Sequence, residues 1–389
     1  KMKKIKALLI DHYHLYVNPT NYTFPHHLGS ILDLKIFGPG YVSEDDLRKG
    51  LNSFINKHNG FDVYLSTANF GFRSGLKEWA NYKNSYLFKV SYIPYDHKYF
   101  EYCHKIENDF EKLTGPKILY FINQDYYNLL DRHIEVLKKK YDYILAPNQS
   151  IFPKNNIQYL NSETFSIEYT KYNKWHSFSS NHNEKIFPLT HAVSKGEFDY
   201  SSIHHRKNDW YVPGAEYISR VTAKQKLLEK NLIKKRGRLA SRFNMFLLNN
   251  FINRQFFINY YQKSFSNSLK ESKFCFTCIS KLEFPLKKIF EIPSQGSILI
   301  MPENKTVKNL GFKNMKNCIF TKPENILDVN DWLKNNMDKA SQIAEEGRNF
   351  ILKNHTLEQR SLDILKFLKK ILVNKYKGAD WRNGKIVFR

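Results

Sequence analysis

KALLIDHYHLYVNPTNYTFPHHLGSILDLKIFGPGY, residues 6–41, sets the architecture. Lys6 to Asp11 is a short apolar run closed by an acid, the pattern of a buried parallel strand whose carboxyl end opens into a loop. The loop carries His12, Tyr13, His14, Asn18, Asn21, His26, His27 and Gly29, more side-chain donors than a tight turn needs. Asp33 to Phe37 gives a second strand, and GPGY at 38–41 breaks it. Ser43 with Asp46 resembles a capping box that starts a helix through about Lys57, and Asp62 to Thr67 is a third strand. Outward from there the alternation continues: Leu87 to Ile93, a helix near Phe100 to Leu113, Lys117 to Ile122, a helix near Leu129 to Lys140, and Tyr143 to Ala146. Strand and helix in alternation predict a parallel sheet covered on both faces, with ligands at the carboxyl ends of the strands. That edge holds Asp11, Asp96, His97, Asn123 and Asp125.

Residues 150–185 show little periodicity and read as the linker to a second half. There the strand candidates are Ile186 to Leu189, Asp209 to Val212, Phe274 to Ile279, Ser297 to Met301 and Cys318 to Phe320, again separated by helical patterns. A chain of 389 residues is long enough for two such α/β units. With 42% hydrophobic and 25% charged residues it falls in the globular class, not the disordered one. Its apolar runs are strand-sized, too short to span a bilayer, and the run Ala7 to Ile10 is too short for a secretory signal. Together with only four cysteines, this predicts a cytoplasmic protein in a reducing compartment. The net charge of +24 attracts phosphate-bearing partners of any kind, so a polyanion or nucleic-acid binder on an α/β scaffold is the rival reading.

The densest chemistry lies in SKLEFPLKKIFEIPSQGSILI, residues 280–300. Glu283 and Glu291 are separated by seven residues and bracket Lys287 and Lys288. Pro285 suits a first helical position, which leaves backbone N–H groups at a helix start for a phosphate. Glu291, two turns on, is placed to accept both hydroxyls of a ribose, and Glu283 to accept sugar hydroxyls. A surface helix with solvated charges is the plainer alternative. In WYVPGAEYISRVTAKQKLL (210–228) a strand ends at Pro213-Gly214 and a helix follows, which makes Arg220 the first candidate for a phosphate-facing cation and Lys288 the second. Cys275-Phe-Thr-Cys278 has metal spacing but lies in a strand pattern without a second pair, and the histidine doublets lack a carboxylate cluster, so no metal site is expected.

The Glu-x7-Glu pair, followed by a small-residue turn and an apolar strand, resembles the donor site of retaining nucleotide-sugar glycosyltransferases of GT-B fold. FGPGY (37–41), LKKKYDYILAP (137–147), FPLTHAV (187–193), KIFEIPSQGSILI (288–300) and HTLEQRSLDIL (355–365) resemble, in that order, the spore-maturation-type group. The resemblance implies two Rossmann-like domains facing across a cleft. They would be an acceptor-binding unit at 1–180, a donor-binding unit at 181–355, and a terminal helix with its tail at 356–389 returning to the first. It implies that Glu283 contacts the donor sugar and Glu291 the ribose, with Arg220, Lys288, Lys287 and Gly214 around the diphosphate. It places His97, with Asp96, against the sugar. Asp11, His12, His14, Asn123 and Asp125 are then left to the acceptor, a glycan, a lipid-linked glycan or a protein. Retention and the absence of a metal or other cofactor are implied in the same way. Pro293 departs from the family pattern and predicts a short or bent helix. The basic and aromatic stretch 234–263 suits an amphipathic helix on an anionic membrane or, more plainly, a helix that buries its aromatic side.

Overall fold

The computed structural model describes residues 4–12, 27–67, 99–121, 131–146, 169–214, 217–233, 254–279 and 285–389. The fold is mixed α/β, built on two parallel sheets. Strands β1 (Lys6–Ile10), β2 (Asp33–Phe37), β3 (Val63–Thr67), β4 (Lys117–Tyr120), β5 (Tyr143–Ala146) and β6 (Ile186–Pro188) form the first, in the order β2-β1-β3-β4-β5-β6. Strands β7 (Asn208–Tyr211), β8 (Ser272–Phe276), β9 (Ile298–Met301) and β10 (Ile319–Phe320) form the second, in the order β10-β9-β8-β7. Every described pairing in both sheets is parallel.

Neighbouring side chains on a strand point to opposite faces, and the cores divide accordingly. Leu8 and Ile10 pack with Phe37, Phe110, Phe121, Leu137 and Trp175 on one face of the first sheet. Ala7 and Leu9 pack on the other with Ile364, Phe367, Leu368 and Ile371 of the helix Leu357–Leu372. That helix starts at Thr356, whose side chain accepts from the Gln359 N–H at 3.2 Å, and it follows the second sheet in sequence while covering the first. A hairpin closes the described chain: β11 (Ala379–Arg382) and β12 (Lys385–Phe388) are antiparallel, turning at Asn383 and Gly384 with φ of 49° and 81°.

Three sequence expectations need correction. Strand Ile186–Pro188, assigned to the second half, pairs with β5 and completes the first sheet, so the change-over between sheets follows Pro188. The proposed linker contains the helix Tyr169–Asn181, whose Trp175 and Phe178 are buried in the first core. The helix from Ser43 is two helices, Glu44–Lys49 and Leu51–Lys57, because Gly50 takes φ 87° and donates its N–H back to the Asp46 carbonyl. The turn lets Leu47 and Leu51 both reach the core. Ser43 does cap, its hydroxyl accepting from the Asp46 N–H at 3.1 Å. The expected strand Leu87–Ile93 and residues 234–253 of the basic stretch 234–263 lie outside the described residues. Among the described residues no helix is long and apolar enough to cross a membrane.

The chain passes between the sheets twice, and the crossings touch. Val193 donates its N–H to the His355 carbonyl at 3.2 Å, and its own carbonyl accepts from the Leu357 N–H at 2.9 Å. His355 and Arg360 lock this junction from inside. His355 donates from Nε2 to the Leu310 carbonyl at 2.9 Å, which leaves Nδ1 to accept from the Arg360 guanidinium. Arg360, fully buried, also reaches the Asn354 carbonyl at 3.0 Å and lies 4.4 Å over the Trp381 ring. Trp381 in turn donates to the Pro188 carbonyl at the end of β6, 2.8 Å away.

Candidate functional site

After β7 the chain turns through Pro213 and Gly214 into the helix Ile218–Glu229. Arg220, third in that helix, is 3% exposed. Its guanidinium stacks 4.8 Å over Tyr217, and it donates to Thr277 Oγ1 at 3.3 Å and to the Cys278 carbonyl at 3.4 Å, both just beyond β8. From the other side comes the helix Lys288–Ser294, whose Lys288 ammonium lies 5.6 Å from the Phe265 ring. Gly214 fixes how closely these groups approach. It has φ 104°, and a Cβ there would stand 2.7 Å from Arg220 Nη1 and 2.7 Å from Lys288 Cε. Arg220, Lys288 and the backbone of Gly214 therefore share one small volume at the carboxyl edge of the second sheet, where open α/β sheets take their ligands.

Lys287 and Glu291, one turn apart, pair at 3.2 Å, and Lys287 makes a second ion pair at 3.2 Å with Glu197. Burial lowers the Lys287 ammonium, but Glu291 and Glu197 outweigh it and hold the group above its ordinary range. Lys288 goes the other way: burial lowers it, Glu291 only partly restores it, and Arg220 lowers it further. His191, on the first crossing, is held down at about 3 by burial and then by Lys287 and Lys288, so it stands beside them as a neutral imidazole.

Five residues assigned to the donor from sequence, Gly214, Arg220, Lys287, Lys288 and Glu291, are thus brought together. Glu283, Asp96, His97, His14, Asn123 and Asp125 lie outside the described residues. Pro285 is not the first helical residue but lies three positions ahead of the helix. The N–H groups of Ile289, Phe290 and Glu291 are already bonded to the carbonyls of Leu286 and Lys287, so the helix start offers fewer donors than expected. The expectation from Pro293 holds: the helix is seven residues long with the proline next to last. Sequence reasoning missed Glu197, His191 and Thr277. A signal existed for the first, because Ser194-Lys-Gly-Glu197 is the serine-x-x-glutamate of a capping box, and both of its bonds are present. Cys275 and Cys278 are buried free thiols, and burial raises Cys275 to about 12, which removes the reactive thiolate.

On the first sheet the order of strands reverses between β1 and β3, and Asp11 sits at that switch point. It is buried, as is His12, so neither presents a surface in this conformation. Thr67 Oγ1, at the end of β3, donates to Asp11 Oδ1 at 2.6 Å. Burial raises Asp11 to about 7, with the Thr67 and His12 hydrogen bonds only partly opposing it. The folded state therefore prefers the neutral acid, while the unfolded chain ionises near ~3.9. The resulting stabilisation is complete below that value and is lost as pH rises through about 7. Asp11→Asn keeps the Thr67 contact and removes the ionisation. It is expected to abolish a loss on the order of 2–4 kcal/mol between pH 4 and pH 8. Urea unfolding of both proteins across that range checks this, and equal slopes with pH would refute it.

Two parallel-sheet units of Rossmann type, joined by paired crossings and closed by a terminal helix that returns to the first, define the GT-B class. Residues 252–366, within the second half, match the model of the glycosyl transferase-like family. Among solved structures, Anabaena Alr3699/HepE in complex with UDP aligns over 94% of this chain and 100% of its own, with a TM-score of 0.51 at 8% identity. A glycosyltransferase from Rickettsia africae aligns over 95% and 99% with a TM-score of 0.46 at 12% identity. No protein of curated function matches the sequence.

Proposed function

We propose that the protein transfers a sugar from a nucleotide-sugar donor, bound by the second half, to a glycan, lipid-linked or protein acceptor bound by the first, in cell-surface polysaccharide or glycoconjugate synthesis. The convergence of Arg220 and Lys288 on Gly214 carries this reading. As the bond from sugar to diphosphate breaks, negative charge grows on the departing phosphate, and cations already in place stabilise it without reorganising. Arg220 supplies a planar fork suited to phosphate oxygens, and Lys288 a point charge. Glu291 accepts the ribose hydroxyls, and Glu283, with His97 and Asp96, handles the sugar. With retention of configuration, the acceptor hydroxyl gives its proton to the leaving phosphate oxygen and no protein base is needed. These cations, built into the site, meet the charge requirement, so the proposed reaction uses no metal. Asp11, His12, His14, Asn123 and Asp125 serve the acceptor, Asp11 and His12 from beneath the surface, and the basic stretch 234–263 draws the enzyme to an anionic membrane face.

The reading is tested by thermal unfolding with UDP, GDP, ADP, CDP, dTDP and CMP, since a ligand of the folded state raises its stability by mass action. One nucleotide is expected to stabilise selectively. Glu291→Ala should lose about tenfold or more in affinity for it, the effect of a lost hydrogen bond to a charged group, while remaining folded. No response to any nucleotide, with salt-sensitive binding to generic nucleic acid, would favour the polyanion binder.

A further inference from the structure

We propose that Glu197 is a positioning residue of the donor site: it holds the Lys287 ammonium so that the Glu291 carboxylate stays open to the ribose hydroxyls of the donor. This rests on the donor reading above. Lys287 Nζ stands 3.2 Å from Glu197 Oε2 and 3.2 Å from Glu291 Oε1. The three side chains are only 18%, 32% and 15% exposed, so water screens them little. Lys287 and Glu291 are four residues apart on adjoining turns and meet without help. Glu197 arrives from ninety residues earlier in the chain and is fixed before it meets them. Its Oε1 accepts from the Ser194 N–H at 2.8 Å, and its carbonyl accepts from the Gln295 side-chain amide.

An ammonium has three protons to donate and serves two carboxylates at once. While Glu197 holds one of them, Glu291 can turn toward a ribose and Lys287 keeps a partner. Without the Glu197 charge, the ammonium has Glu291 alone. A ribose must then compete with a part-buried ion pair, and winning would strand the lysine. Glu197→Gln creates this situation with little change of shape. Its single amide oxygen serves either Ser194 or Lys287, and its NH2 offers the ammonium nothing. Because Ser194 directly follows Val193 of the paired crossings, the same turn ties the ribose carboxylate to the junction between the halves.

The test measures affinities by calorimetry for UDP, GDP, ADP and CDP, each beside its 2′-deoxy counterpart, on wild type, E197Q, E197D and K287Q. Wild type is expected to prefer the ribose form of its best nucleotide by about tenfold or more. E197Q should shrink that preference to about threefold or less, and E197D, which keeps the charge, should restore most of it. An equal loss for both sugar forms in E197Q, with the preference intact, would reduce Glu197 to a prop of the fold and overturn the proposal. K287Q removes the competing ammonium and should keep the ribose preference. That variant decides the matter if E197Q does not fold, and a collapsed preference in it also overturns the proposal. A wild type that binds a nucleotide without ribose preference sinks this inference and leaves the phosphate site standing. A wild type that binds none sinks the donor reading itself.

Discussion

Gly214→Ala is expected to weaken nucleoside diphosphate binding by about a hundredfold while costing the fold only about 1–3 kcal/mol. The two effects separate because of what the new methyl group meets. The backbone at φ 104° is uncomfortable for alanine, a local strain the chain can bear. The Cβ, however, would sit 2.7 Å from both Arg220 Nη1 and Lys288 Cε. Those are the ends of flexible side chains, so they move instead of unfolding the protein, and they move out of the only volume they share with Gly214. Arg220 would lose its alignment on Thr277 and Cys278, and misplacement by an ångström is enough to cost a charge-assisted contact most of its worth. Calorimetric affinity beside a urea midpoint reads both quantities. Unchanged affinity in a folded variant would show that the diphosphate does not lie there.

Arg360→Ala should cost stability of about 3–5 kcal/mol, the range for removing one member of a buried charged network. Arg360 is fully buried, with Asp363 Oδ2 at 3.6 Å, the Asn354 carbonyl at 3.0 Å and the Trp381 ring beneath it. Its removal leaves His355 Nδ1, the Asn354 carbonyl and Asp363 short of a donor and opens a cavity under Trp381. Arg360→Lys is expected to recover little, since one ammonium cannot reproduce a fork that serves several acceptors and stacks on an indole. Urea unfolding measures both variants. A loss below about 1 kcal/mol for Arg360→Ala would mean that water reaches this junction and replaces the guanidinium.

The residues themselves explain what could be read in advance. Strands such as Lys6–Ile10 and Tyr143–Ala146 were legible because a strand buried on both faces must be apolar throughout, and loop punctuation bounds it. Ile186–Pro188 was visible as a strand but not as the sixth of the first sheet, since nothing local says that its partner is Tyr143–Ala146. The nearness of Arg220, Lys288 and Gly214 was legible because strand ends and helix starts of a parallel sheet meet at one edge. Glu197 was not, although its capping box was written in the sequence, because its second oxygen answers a lysine ninety residues away. Arg206 shows the same limit: within HHRKND it looks solvated, yet it is 6% exposed and bonds the carbonyls of Leu269, Ser272 and Gln295.

The return of the helix Leu357–Leu372 to the first sheet also bears on how the protein is made. Translation delivers β1 to β6 early, but the face carrying Ala7, Leu9, Val63 and Leu65 is covered by Ile364, Phe367 and Leu368, which emerge only after the whole second sheet. Until then, a nascent chain holds a finished sheet with one oily side bare, while the second sheet folds behind it. The half synthesised first is therefore the half completed last, and contacts spanning more than three hundred residues delay it further. During that interval the growing chain is most open to aggregation and to chaperone capture.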